Sequence, residues 1–226
     1  MVSCAQAQTL AGRAPGEYDE RLQIPDGGSV RVAVSVPKSY VPGTPTPLVL
    51  ALHFGGDSRG AGRALLNILV RPALADLGAI IVAPDALDDG WSTPANQRAV
   101  TALLAATAAT FTVDPRRVVV TGFSMGGAGA WYWAQTHPDQ FSAAIPVAGR
   151  PSDTAPEMRV PVFAVHSRAD EVSPIEPTEQ RIRALARQGL DARLFDVDGI
   201  SHYETARFVG ALRQAVPWVR AVWARR

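Results

Sequence analysis

Gly122-Phe123-Ser124-Met125-Gly126-Gly127 lies between two segments of opposite character. Ahead of it, Arg117-Val118-Val119-Val120-Thr121 is short, apolar and β-branched, and reads as a buried strand. Behind it, residues 128–134 read as a helix. A serine in a Gly-x-Ser-x-Gly turn from strand to helix sits on strained backbone, with its hydroxyl lifted clear of the sheet and only glycine-sized neighbours tolerated. Gly122 and Gly126 fill the flanking places, while Gly127 and Gly129 let the new helix run close to the strand. A glycine-rich turn with an incidental serine would share this pattern, so the reading requires partners for Ser124.

The turn resembles the nucleophile turn of the α/β-hydrolases, and that resemblance implies partners in the chain order nucleophile, acid, base. The chain has four histidines. His53 precedes Ser124, His137 lies in the helix-ending Thr136-His137-Pro138-Asp139, and His166 closes a strand-like run ahead of any suitable acid. His202 is left as the base, after the strand candidate Arg193-Leu194-Phe195-Asp196-Val197 and the turn at Gly199. The acid belongs in a loop after the preceding strand, where a carboxylate orients the imidazole and stabilises its protonated form. Asp170 meets this condition, at the end of Ser167-Arg168-Ala169-Asp170 after the apolar run 160–166, with adjacent Glu171 as the alternative. Asp196 and Asp198 lie on or just after the strand that delivers His202 and are expected to face solvent or cap the turn.

An oxyanion formed at such a serine needs backbone N–H donors. Met125, next after the serine, is one; the loop after Leu48-Val49-Leu50-Ala51-Leu52-His53 is expected to supply the other, from Gly55 or its neighbour Phe54. Phe54 and Trp91 are the candidate substrate-binding residues, Trp91 either as a pocket wall or as a packing residue. Ile200 and Tyr203 are further pocket candidates, whereas Trp131 and Trp133 read as core.

These residues resemble the α/β-hydrolase superfamily, and within it the compact bacterial carboxylesterases grouped with feruloyl and acetylxylan esterases and polyhydroxybutyrate depolymerases. The likeness runs from about Pro47 to about Trp218. It includes Leu52-His53-Phe54-Gly55-Gly56, Ala83-Pro84-Asp85, Val113-Asp114-Pro115-Arg116-Arg117, the serine turn and His137-Pro138-Asp139-Gln140-Phe141. Two departures stand out: the group often has His-Gly where this chain has His53-Phe54, and glycine where it has Ser167. The resemblance implies an α/β-hydrolase fold without a large lid. It also implies a serine hydrolase of carboxylic esters, working through an acyl-enzyme without a cofactor or metal. A serine peptidase on the same scaffold, or a binding protein that has lost catalysis, are the competing readings.

The order of elements supports that fold independently. Strands are expected near residues 30–36, 48–52, 79–83, 117–121, 143–147, 160–166 and 193–197; helices near 62–77, 95–110, 128–134 and 176–188, with a last one starting near Tyr203. Alternation of this kind gives a mostly parallel sheet covered by helices on both faces. Ligands then bind beyond the carboxyl ends of the strands. At 226 residues, 47% of them hydrophobic, the chain is long enough for a single domain over 18–226. Residues 1–17 read as a flexible leader. Ala5-Gln6-Ala7 looks like the end of a secretory signal, although no apolar stretch precedes it. A trimmed leader, and with it a secreted or periplasmic location, is favoured over a cytoplasmic one.

The net charge is +1, Lys38 is the sole lysine and Cys4 the sole cysteine. Arg207, Arg213, Arg220, Arg225 and Arg226 alternate with apolar residues, as on a solvated helix face and unlike a nucleic-acid arm. No zinc or phosphate-loop signature is present, and no run could span a membrane. The partner expected is a small-molecule or polymer-linked ester; the oligomeric state is open.

Overall fold

The structure, a computed structural model, describes residues 9–11, 14–25, 28–152 and 157–225. The leader-like residues 1–8, with Cys4, and Arg226 lie outside them.

Eight strands form one sheet: β1 (Gly16–Gln23), β2 (Ser29–Val36), β3 (Thr46–Leu52), β4 (Ile80–Pro84), β5 (Val113–Phe123), β6 (Ala143–Val147), β7 (Val162–Ser167) and β8 (Ala192–Val197). Their spatial order is β1-β2-β4-β3-β5-β6-β7-β8. β2 is antiparallel to β1 and β4, and all later pairings are parallel. The helices are α1 (Ala61–Leu65), α2 (Arg71–Leu74), α3 (Pro94–Thr110), α4 (Met125–Thr136), α5 (Glu176–Arg187), α6 (Val209–Arg213) and α7 (Ala215–Ala224).

Alternation along β3 shows why both faces need helices. Leu48, Leu50 and Leu52 join one core with Val100 and Leu103 of α3, Trp131 and Trp133 of α4, and Leu185 of α5. Val49 and Ala51 point the other way, into a core with Leu65 of α1, Leu212 of α6 and Val219 of α7. A central parallel strand buried on both sides carries no polar face, as this run shows. The helical coverage of both faces is the architecture expected from the sequence, and no helix is inserted between β6 and β7 among the described residues.

Several elements differ in detail from their expected form. The helix expected over 62–77 is broken into α1, a wider π turn over Leu66–Val70, α2, and a 3-10 turn over Ala75–Leu77. Pro72 cannot donate to the carbonyl of Ile68 and its ring crowds that carbonyl, so regular winding does not continue through it. The last helix does not start at Tyr203: a 3-10 turn over Thr205–Phe208 precedes α6 and α7. β1 begins at Gly16, and Leu10 is buried with its N–H donating to Thr110 Oγ1 at 2.7 Å, so part of the expected leader packs on the body of the protein. Arg63 ties β1 to α1 by donating to Glu17, Asp19 and the Tyr18 carbonyl. The four described C-terminal arginines are exposed, as expected of a solvated face.

Candidate active site

Ser124 stands between the end of β5 and the first residue of α4, with φ 56° and ψ −116°. That conformation is unfavourable for a residue with a Cβ and persists only where surroundings enforce it. Its N–H donates to the Val147 carbonyl at 3.0 Å and its carbonyl accepts from Ala128 N–H at 3.0 Å, fastening the turn to β6 and to α4. The glycine at 126 is required by close approach: a Cβ there would overlap the carbonyl of Leu52 on β3.

β7 and β8 bring the two other residues to the same end of the sheet. Asp170 follows β7 and His202 follows β8. Asp170 Oδ1 accepts from the N–H groups of Val172 and Ser173 at 3.0 and 2.7 Å, so the turn 170–173 holds the carboxyl by its own backbone. Asp170 Oδ2 lies 2.8 Å from His202 Nδ1. A carboxylate oxygen accepts, so Nδ1 carries the proton and Nε2 is left as an acceptor. The Ser124 hydroxyl, 2.7 Å away, donates to Nε2. The imidazole is 5% exposed and its ring packs against Phe123, with centroids 5.3 Å apart.

Glu171, the alternative acid, turns outward and holds the base from another side. It accepts from Ser201 Oγ at 2.5 Å and from the backbone N–H of His202 at 3.2 Å. The Ser201 hydroxyl, acting first, and these other bonds hold the Glu171 carboxyl below its ordinary pKa. Asp196 is exposed and paired with Arg168, in keeping with the expectation that it faces solvent. His166, unassigned from sequence, is buried beside Asp170 with its Nε2 at 3.6 Å from Oδ2. It donates from Nε2 to the Ser173 carbonyl at 2.7 Å and accepts at Nδ1 from Thr178 at 3.1 Å. Burial, opposed by the Ser173 carbonyl and Asp170, pushes its pKa below the ordinary histidine value.

The loop 53–56 leaves β3 beside the serine turn. Gly55 abuts Met125: a Cβ at 55 would lie 3.9 Å from the Met125 sulfur. Phe54 is half-buried with its ring edge-on to Phe123 at 6.5 Å. Two clefts meet at Met125. One, of about 270 Å³, is lined by Ser58, Leu87, Asp88 and Asp89; the other, of about 390 Å³, by Ser92, Ala128, Tyr132 and Arg150.

Trp91 does not stand as an exposed wall. It touches the larger cleft, but the residue is 2% exposed and its indole N–H donates to the His53 carbonyl at 2.9 Å. A buried indole takes a fixed partner, and Gly129 of α4 passes so close that a Cβ there would meet the Trp91 side chain at 2.6 Å. Of its two readings the structure supports packing. Ile200 is likewise buried in the core, whereas Tyr203 is 79% exposed next to His202. Asp85 also escaped assignment: it accepts from the N–H groups of Gly60 and Gly62 at 2.7 and 2.9 Å and so anchors the far end of the loop that begins at His53. Asn96 pins the next loop, accepting from Leu87 N–H and donating to the carbonyls of Asp88 and Gly90. Neither role can be read from sequence spacing, because each depends on loops that meet only in three dimensions.

Comparison with solved structures finds the same fold elsewhere. It superposes on a thermostable esterase with a TM-score of 0.73 at 22% identity, covering 91% of this chain and 62% of that one. It superposes on a ferulic acid esterase with a TM-score of 0.71 at 19% identity, covering 93% and 100%. At such identities the likeness is one of fold. Protein usf of Aquifex pyrophilus is 30% identical over 92 residues, which are 39% of this chain and 40% of that protein; the match thus takes in about two fifths of its relative's length. The profile of the dienelactone hydrolase family matches residues 69–206, a span that contains Ser124, Asp170 and His202. The chain belongs to the dienelactone hydrolase family.

Proposed function

We propose that this protein hydrolyses carboxylic esters through an acyl-enzyme formed on Ser124. The observation that carries the proposal is the unbroken relay from Ser124 Oγ through His202 to Asp170, at 2.7 and 2.8 Å, with the serine on a strained turn. Membership of the dienelactone hydrolase family supports it.

In the proposed cycle, His202 Nε2 takes the hydroxyl proton as Ser124 Oγ attacks the ester carbonyl, and Asp170 stabilises the imidazolium that results. The carbonyl oxygen becomes an oxyanion, which backbone N–H groups of Met125 and Gly55 receive. The tetrahedral species collapses, and the alcohol departs with the proton from Nε2. Water then repeats the sequence on the acyl-serine and releases the acid. Because Met125 borders both clefts, an ester whose carbonyl lies at that N–H can place one arm in each. The half-buried Phe54 flanks this point and is proposed as a substrate contact.

Turnover of p-nitrophenyl butyrate tests the reading. Wild type is expected to hydrolyse it and Ser124→Ala, equally folded, to retain about a millionth of kcat, the loss usual for removal of such a nucleophile. Retained turnover in Ser124→Ala refutes the assignment.

A further inference from the structure

The imidazole of His53 is fully buried between two backbone groups. Ala86 N–H points at its Nε2 from 2.8 Å, and an amide can only donate, so Nε2 carries no proton. The Phe54 carbonyl lies 2.6 Å from Nδ1, and a carbonyl can only accept, so Nδ1 carries one. The ring is therefore fixed as the neutral Nδ1–H tautomer by its two partners. Burial, opposed by the Phe54 carbonyl and Asp85, holds its pKa below the ordinary histidine value, in agreement with that state.

This fixes more than a side chain. All described peptides are trans, and in a trans peptide the C=O and N–H point opposite ways. With the Phe54 carbonyl held on the His53 ring, the Gly55 N–H is directed away from the ring. The next peptide back is fixed from the other side, since the His53 carbonyl accepts from Trp91 Nε1 at 2.9 Å. Trp91 is itself held, its ring edge-on to the His53 ring at 5.1 Å and its carbonyl accepting from Trp133 Nε1 at 3.1 Å. Glycine would otherwise leave this loop free to turn its amides, the more so at Gly56, whose φ is 110°.

We infer that His53 is a positioning residue for the oxyanion site: its Nδ1–H, by holding the Phe54 carbonyl, aims the Gly55 N–H at the oxygen that becomes negative during attack by Ser124. The inference rests on the proposed role of Ser124. A donor aimed before the substrate arrives stabilises the transition state without reorganisation. Loss of the aim should therefore lower kcat and leave KM in place.

Two substitutions separate the two bonds of the ring. Asn at 53 puts an NH2 near the place of Nδ1 and can still donate to the Phe54 carbonyl, while Ala86 N–H loses its acceptor. Gln reaches the place of Nε2 and can accept from Ala86 N–H, while the Phe54 carbonyl is released. Steady-state kinetics on p-nitrophenyl butyrate, with Tm measured alongside, are expected to show similar losses of Tm in both. The kcat of His53→Gln should fall about a hundredfold, the scale for one oxyanion donor, and that of His53→Asn should stay within about tenfold of wild type, with KM unchanged in each. Equal kcat in the two variants, or an effect confined to KM, overturns the inference. Should His53→Gln not fold, His53→Leu decides: it fills the place of the ring with no donor to the Phe54 carbonyl, and is expected to lower kcat about a hundredfold at constant KM, whereas wild-type kcat overturns the inference. Ser124→Ala in the same series distinguishes the two layers. Turnover retained there defeats the role of Ser124, while turnover lost there with His53→Gln at wild-type rate defeats only the role of His53.

Discussion

Two adjacent carboxylates, Asp170 and Glu171, meet the base loop in different ways. Asp170 is drawn inward because the turn that follows offers it two backbone N–H donors, and it meets the imidazole at Nδ1. Glu171 is spent on Ser201 and the backbone of His202. Chain order was sufficient to isolate His202, since the other three histidines lie upstream of a suitable acid. It favoured Asp170 over Glu171 by loop position, but the bonds that settle their orientation involve Val172, Ser173 and Ser201, which no spacing rule connects. Asp170→Asn is expected to keep the fold and lower kcat by about 10⁴-fold, because an amide can present its NH2 to Nδ1 and leave Nε2 protonated against the serine. A pre-steady-state and steady-state comparison with wild type checks this, and a loss below tenfold would assign the acid role elsewhere.

At the scale of elements, the parallel core strands were legible because burial on both faces makes them continuous apolar runs. β1 was not. It lies at the edge of the sheet, where Glu17, Asp19 and Arg21 alternate with less exposed positions and Leu22 is the sole buried residue, so its composition resembles a polar leader. The turn at Ser124 was legible through its glycines, and its packing gives them a measurable role. Gly126 lies in the first turn of α4, where helix propensity alone would make Gly126→Ala stabilising by up to about 1 kcal/mol. The Leu52 carbonyl occupies the space that the new methyl needs, and overpacking of this kind costs about 3 kcal/mol. The second effect is larger, so thermal unfolding should show a lower Tm, together with reduced turnover of p-nitrophenyl butyrate if the proposed function holds. An unchanged or raised Tm would mean that β3 and α4 are less closely packed than described.

For the whole molecule, the buried imidazoles make stability depend on pH in a definite direction. Burial, the largest cause in each case, lowers the pKa of the buried His53 and His166 from an ordinary value of 6.5. Below 6.5 the unfolded chain therefore binds protons at these sites that the folded chain does not, and stability falls as pH falls. Each histidine contributes at most about 1.4 kcal/mol per pH unit between its unfolded and folded pKa, with no contribution above its unfolded value. Urea unfolding should show a lower midpoint at pH 5.5 than at pH 7.5; equal midpoints would contradict the neutral, buried state of these rings. The same rings brace the candidate site, His53 in the loop 53–56 and His166 beside Asp170, so the protein's stability and its proposed chemistry draw on shared parts. The central claim is that Ser124, activated by His202, is the nucleophile. Its most direct test is to treat the folded protein with a fluorophosphonate and locate the adduct by peptide mass spectrometry. One phosphonyl group on Ser124, absent from His202→Ala under the same conditions, is the predicted result; an unlabelled wild type, or an adduct on another residue, would contradict the account.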